Sequence, residues 1–195
     1  LSTSMSDKTT GNLFAAIVFS EANYWINSLR DLFTAKLLPF LGKDSDYTQG
    51  AWCGLSNLVV LSEELWRGVR VHWRRILSDG GSHEGFAPNT RIRELFLWSS
   101  ILYDDSALRE EVFGICRHNP VSCSAAVRVL VEWTLRLSKE NREREWRAWI
   151  YSTISSLLGD EACYRRSAHH LLRLCDKEKN DSSRVIVGAV RLFSE

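Results

Sequence analysis

Apolar residues recur at three- and four-residue intervals along most of this chain, and nowhere do they alternate with period two for long enough to make a strand. Helical periodicity is the strongest constraint on what such a chain can fold into. It restricts the fold to the all-α class, and three prolines in 195 residues interrupt few helices. The densest example is Leu55 to Leu77, LSNLVVLSEELWRGVRVHWRRIL. Projected on one helix, Leu55, Leu58, Val59, Leu65, Trp66, Val69, Trp73, Ile76 and Leu77 fall on a single broad stripe. Glu63, Arg67, Arg70 and Arg74 form a ridge beside it. The stripe is expected to face a core, leaving the arginine side for something else.

Before it, Asn12 to Leu38 reads as a first long helix whose apolar side includes Phe14, Ile17, Val18, Trp25, Leu29, Leu32 and Phe33. Pro39 and Gly42 end it. Residues 1–11 read as a flexible, Ser/Thr-rich arm, and the start at Leu1 as the edge of a fragment. The Asp79-Gly80-Gly81-Ser82 break opens an aperiodic stretch to Pro88, so 79–89 is the expected subdomain boundary within a single domain, 12–195.

Beyond it, Asn89 or Thr90 is expected to cap one helix and Asp105 or Ser106 a short second one. Asn119-Pro120 precedes a helix over 121–137. Lys139 to Arg147 reads as a solvated helix start, with Glu140–Arg144 and Glu143–Arg147 at i,i+4 spacing. Gly159-Asp160 separates it from a helix through Cys175, and a final helix carries Val185, Ile186, Val190, Leu192 and Phe193. About eight helices result, expected as antiparallel hairpins in a helical-repeat (HEAT/ARM-type) arrangement or an irregular helical bundle.

Lys plus Arg total 25 against 24 Asp plus Glu, a net charge of +1, so no global field attracts phosphate or an anionic membrane. Five cysteines, an odd count, in a chain long enough for a substantial core point to reduced thiols and an intracellular setting, cytoplasm or nucleus. The apolar run from Leu13 to Phe19 lacks a basic leader and is too short to span a bilayer.

No phosphate-binding loop, nucleophile elbow or H-E-x-x-H is present, so no catalytic residue and no cofactor are assigned. Cys116, His118 and Cys123, and again Cys163, His169, His170 and Cys175, lie close in sequence but lack the paired spacing of a zinc site; no metal is assigned. Local charge is another matter. From Trp66 through Ser78 there is no acid, which isolates Arg67, Arg70, Arg74 and Arg75 as a positive patch whose forked side chains suit carboxylate or phosphate. Two aromatic groups, Phe96/Trp98/Tyr103 and Trp146/Trp149/Tyr151, exceed what a narrow stripe needs, and Trp98, Trp146 and Trp149 are the candidate anchors.

The expectation is a non-catalytic scaffold module of a larger protein or complex that receives a partner helix or peptide in a groove. The alternative is an RNA- or DNA-binding helical domain in which Arg91, Arg93, Arg165 and Arg166 extend the patch. No membrane partner is expected.

Overall fold

The computed structural model describes residues 8–42, 45–78, 89–104 and 106–177. All regular structure among them is helical, with no strand. The chain forms two compact units, Leu1–Asp105 and Ser106–Glu195. The expected boundary at 79–89 falls almost wholly outside the described residues, as do Asp105 and the final helix. The helices on either side of the 79–88 stretch pack together within the first unit.

The first unit contains α1 (Lys8–Ser20), α2 (Ala22–Ser28), the single turn α3 (Arg30–Leu32), α4 (Thr48–Ser56), α5 (Glu63–Val69), α6 (Trp73–Ser78) and α7 (Thr90–Tyr103). A π turn over Phe33–Leu37 and a 3-10 turn over Leu38–Leu41 follow α3, and another 3-10 turn, Arg70–His72, joins α5 to α6. The first helix begins at Lys8, inside the expected arm. It is also not one helix but three, broken at Glu21 and Leu29, where the backbone leaves helical geometry.

Its buried face also differs from the expected stripe. Gly11, Ala15 and Phe19 point inward, whereas Ile17, Leu29 and Leu32 are exposed. The reason lies in α4, the principal neighbour of α1. A Cβ at Gly50 would overlap the carbonyl of Asn12, and one at Gly54 would overlap the carbonyl of Ala16, so the two backbones touch where only glycine fits. The Asn12 side chain locks the crossing, accepting from the Gly50 amide at 2.7 Å and donating to the Asp46 carbonyl at 3.0 Å.

The expected helix from Leu55 to Leu77 is likewise interrupted. It stops at Ser56 and resumes at Glu63, where the Ser62 hydroxyl accepts from the Leu65 amide and Glu63 and Glu64 complement the helix dipole. The intervening carbonyls are held by distant side chains: Arg91 donates to Leu58 at 3.0 Å, Asn23 to Val60 at 2.7 Å and Tyr103 to Leu61 at 3.0 Å. Val59, expected on the apolar stripe, is instead 85% exposed. The other stripe members are buried.

In the second unit, α8 (Ser106–Ile115), α9 (Pro120–Arg136), α10 (Lys139–Glu145), α11 (Tyr151–Leu158) and α12 (Glu161–Lys177) follow the local signals closely. Asn119 accepts from the amides of Val121 and Ser122, Ser138 from that of Asn141, and Asp160 from that of Cys163. A π turn, Trp146–Ile150, joins α10 to α11. The most extensive packing is between α9 and α12, which are not consecutive.

Candidate functional site

The surface built by α5, the Arg70–His72 turn and α6 has two sides of opposite character. Leu65, Trp66, Val69, Trp73, Ile76 and Leu77 are buried, while Glu63, Glu64, Arg67, Arg70, Val71 and Arg74 are exposed. Helical turns run from Glu63 to Ser78 through the 3-10 turn Arg70–His72, and this division persists on both sides of it.

Each ridge arginine has a local contact that orients it. Arg67 is ion-paired with Glu63 one turn earlier. Nη1 of Arg70 lies 3.9 Å from Oδ1 of Asp104, whose side chain is fully buried at the end of α7. The guanidinium of Arg74 lies over the Trp73 ring, 4.8 Å from its centroid. Asp104, which reads in the sequence as part of a loop-and-cap pair with Asp105, is thus a buried carboxyl beneath the ridge.

Arg75 does not belong to this face. It is half-buried, donating to the Leu41 carbonyl at 3.2 Å and lying 5.7 Å from the Trp52 ring centroid, apart from the exposed ridge with which the sequence grouped it. The same carbonyl accepts from the Trp52 indole at 3.3 Å. His72 packs edge-on to Trp52, and burial followed by the charge of Arg75 holds its imidazole below the usual pKa.

The candidate aromatic anchors separate between the two units. Trp98 on α7 is half-buried. Trp146 is buried against Tyr151 and is therefore core, which corrects the expectation of an exposed anchor. Trp149 is half-buried, its indole donating to Glu145 at 2.7 Å and its ring covered by the guanidinium of Arg109 at 4.3 Å.

The cations invoked for nucleic acid are largely occupied. Arg93 is 2% exposed and donates to the Leu77 carbonyl at 3.3 Å. Arg91 is bound to the carbonyls of Leu58 and Val59, and Arg165 to Glu161. Arg166 is exposed.

Of the two sequence clusters of cysteine and histidine, the Cys175 side chain lies outside the described residues. Cys116, Cys123 and Cys163 meet in the interior of the second unit, because α12 packs on α9 with Cys163 and Ser167 one turn apart. Sγ of Cys123 donates to the Leu157 carbonyl at 3.4 Å and lies 3.8 Å from Oγ of Ser167, and Sγ of Cys163 donates to the Arg117 carbonyl at 3.6 Å. Burial pushes both thiols up, which disfavours the thiolate needed for nucleophilic or ligand chemistry. Among the described residues no group of three or more His, Cys, Asp or Glu is placed to hold a metal ion. His169 is exposed, and Nε2 of His170 lies 3.3 Å from Oγ of Ser124.

No helix among the described residues is long and apolar enough to cross a membrane. Comparison with protein-family models, with curated proteins and with solved structures finds no match to this chain in any of the three.

Proposed function

We propose that this chain is a non-catalytic protein-interaction module of a larger intracellular protein or assembly, and that it receives a partner segment on the α5–α6 surface. The observation that carries this reading is the arrangement of Arg67, Arg70 and Arg74 on one exposed face above a buried core. Arg67, Arg70 and Arg74 outnumber Glu63 and Glu64 on this face, and a surface with an excess of one charge favours encounter with a complementary partner. Arg67 remains available because an exposed i,i+4 pair contributes only about 0–1 kcal/mol and exchanges partners readily. The packing we infer is an irregular bundle, since α1 with α4 and α9 with α12, rather than consecutive helices, make the widest contacts.

A nucleic-acid role has less support: Arg93 is buried and Arg91 is held by two backbone carbonyls, so two of the cations invoked to extend the patch are withdrawn from it. The discriminating experiment is affinity capture from lysate, with and without nuclease, comparing wild type with Arg67→Glu/Arg74→Glu. Arg70 is left unchanged because a glutamate there would face the buried Asp104 carboxylate and destabilise the unit. A nuclease-resistant partner lost in the double variant, at unchanged melting temperature, supports the reading. Capture that is unchanged moves the interface elsewhere, and co-purifying proteins that vanish with nuclease replace the reading with the nucleic-acid one.

A further inference from the structure

We infer that the α5–α6 surface is built for an acidic, amphipathic helical segment of a protein partner, with an apolar side chain of that segment seated on Val71. The inference rests on the partner-binding reading above and specifies the chemistry of what binds. Val71 is 74% exposed, a β-branched apolar residue that belongs neither to the buried stripe nor to the arginine ridge. Arg67, Arg70, Val71 and Arg74 stand at i, i+3, i+4 and i+7, and although the 3-10 turn Arg70–His72 shifts the α-helical register between them, all four are exposed. The surface therefore presents one exposed apolar residue among three arginines, with Glu63 and Glu64 on the same exposed side at its start; the Arg67 and Arg74 backbones are about 12 Å apart along the axis, the 3-10 turn included.

That pattern has a complement in one kind of segment. Two carboxylates roughly two helical turns apart, with a large apolar residue between them, match both the charge and the spacing. Carboxylate and guanidinium pair through forked hydrogen bonds, and the apolar contact removes Val71 from water. A nucleic-acid backbone would meet the arginines but set phosphates against Val71, which offers them no donor. Restraint of Arg70 by Asp104 and of Arg74 by the Trp73 ring lowers the side-chain entropy lost on binding.

The test is selection of a displayed library of short random peptides against the full chain at low salt. Binding of the enriched peptides to wild type, Val71→Ser, Val71→Asp and Arg74→Glu is then titrated. Val71 is exposed, so neither substitution there should shift the melting temperature. Enriched sequences should carry acids about two turns apart around a large apolar residue. Their affinity should fall about tenfold or more for Val71→Asp and Arg74→Glu, and less for Val71→Ser. Failure to enrich any peptide, enrichment of sequences without acids, or affinities indifferent to Val71→Asp overturns the inference. Loss with Arg74→Glu but not with Val71→Asp removes Val71 and leaves the partner-binding reading standing. Indifference to both removes that reading as well. A single-stranded oligonucleotide that outcompetes the peptides, and is itself lost with Arg74→Glu, assigns the surface to nucleic acid.

Discussion

The indole Nε1 of Trp66 donates to Oδ1 of Asp104 at 2.8 Å, and the same oxygen lies 3.9 Å from the guanidinium of Arg70. One buried carboxylate therefore ties a core tryptophan to a surface arginine. Its other oxygen, Oδ2, has no hydrogen-bond partner among the described residues, so Arg70 supplies the nearby compensating charge. Asp104→Ala should destabilise the chain by about 1–3 kcal/mol, because it orphans the buried indole N–H. Asp104→Asn retains an acceptor and should lose less. Denaturant titration of the three proteins checks the order, and an alanine variant as stable as wild type would show the contact to contribute nothing.

Two glycines should respond to alanine with opposite signs. At Gly54 the new methyl would overlap the Ala16 carbonyl oxygen and approach the Phe19 Cβ at 2.8 Å. Separating two packed backbones should outweigh the gain in helix propensity, for a net loss of about 1–3 kcal/mol. At Gly114 in α8 nothing lies within 4 Å of the built methyl, so alanine should stabilise by roughly 0.5–1 kcal/mol. Unfolding midpoints decide both, and a neutral Gly54→Ala would mean that α1 and α4 are free to move apart.

Acid should weaken the fold in a window set by His170. Burial chiefly, then the charges of His169, Arg128 and Arg173, lower its pKa to about 4, with Glu132 opposing them. A histidine depressed in the folded state contributes stability while neutral, fully above its unfolded value near 6.5. That contribution drains away as pH falls from about 6.5 towards 4. His72, held low by burial and Arg75, acts in the same direction. Glu132 works lower down: burial raises its pKa, but hydrogen bonds from Arg128 and Arg173 prevail and hold it below the usual carboxylate value. His170→Gln should flatten the upper part of the pH–stability curve, and an unaltered slope between pH 6.5 and 4 would exclude His170 as its source.

Thiol chemistry should sort the cysteines by depth. Cys53 is exposed, whereas Cys116, Cys123 and Cys163 are buried, with Cys123 and Cys163 shifted further from the thiolate by burial. A maleimide should modify Cys53 in the folded protein well before these three, which should become reactive together on unfolding. Mass spectrometry of a labelling time course assigns the sites. Early modification of Cys123 or Cys163 would contradict the packing of α9 on α12.

In both units the local signals were legible residue by residue: in the first, Asn89 caps α7 by accepting from the Ile92 amide, and the apolar stripe is buried apart from Val59. Asn119, Ser138 and Asp160 begin helices because each bonds an amide two or three residues ahead, a contact any reader of the chain can anticipate. Ser62 followed by Glu63 and Glu64 is a signal of the same kind, masked by the apolar stripe that runs through it. Of the candidate anchors, Trp146 could not be assigned a side from periodicity because a π turn over Trp146–Ile150 alters the angular register.

What the sequence by itself determined is the helical class, the caps, and the presence of an arginine ridge beside an apolar stripe, since each depends on residues within a turn or two. Tertiary structure decided where the long helices break, which face of α1 is buried, and what stands under the ridge. Those outcomes depend on Asn23 reaching Val60, on two glycines admitting another backbone, and on Trp66 finding Asp104. The partners lie 37 to 38 residues apart in the chain, beyond the reach of any local pattern.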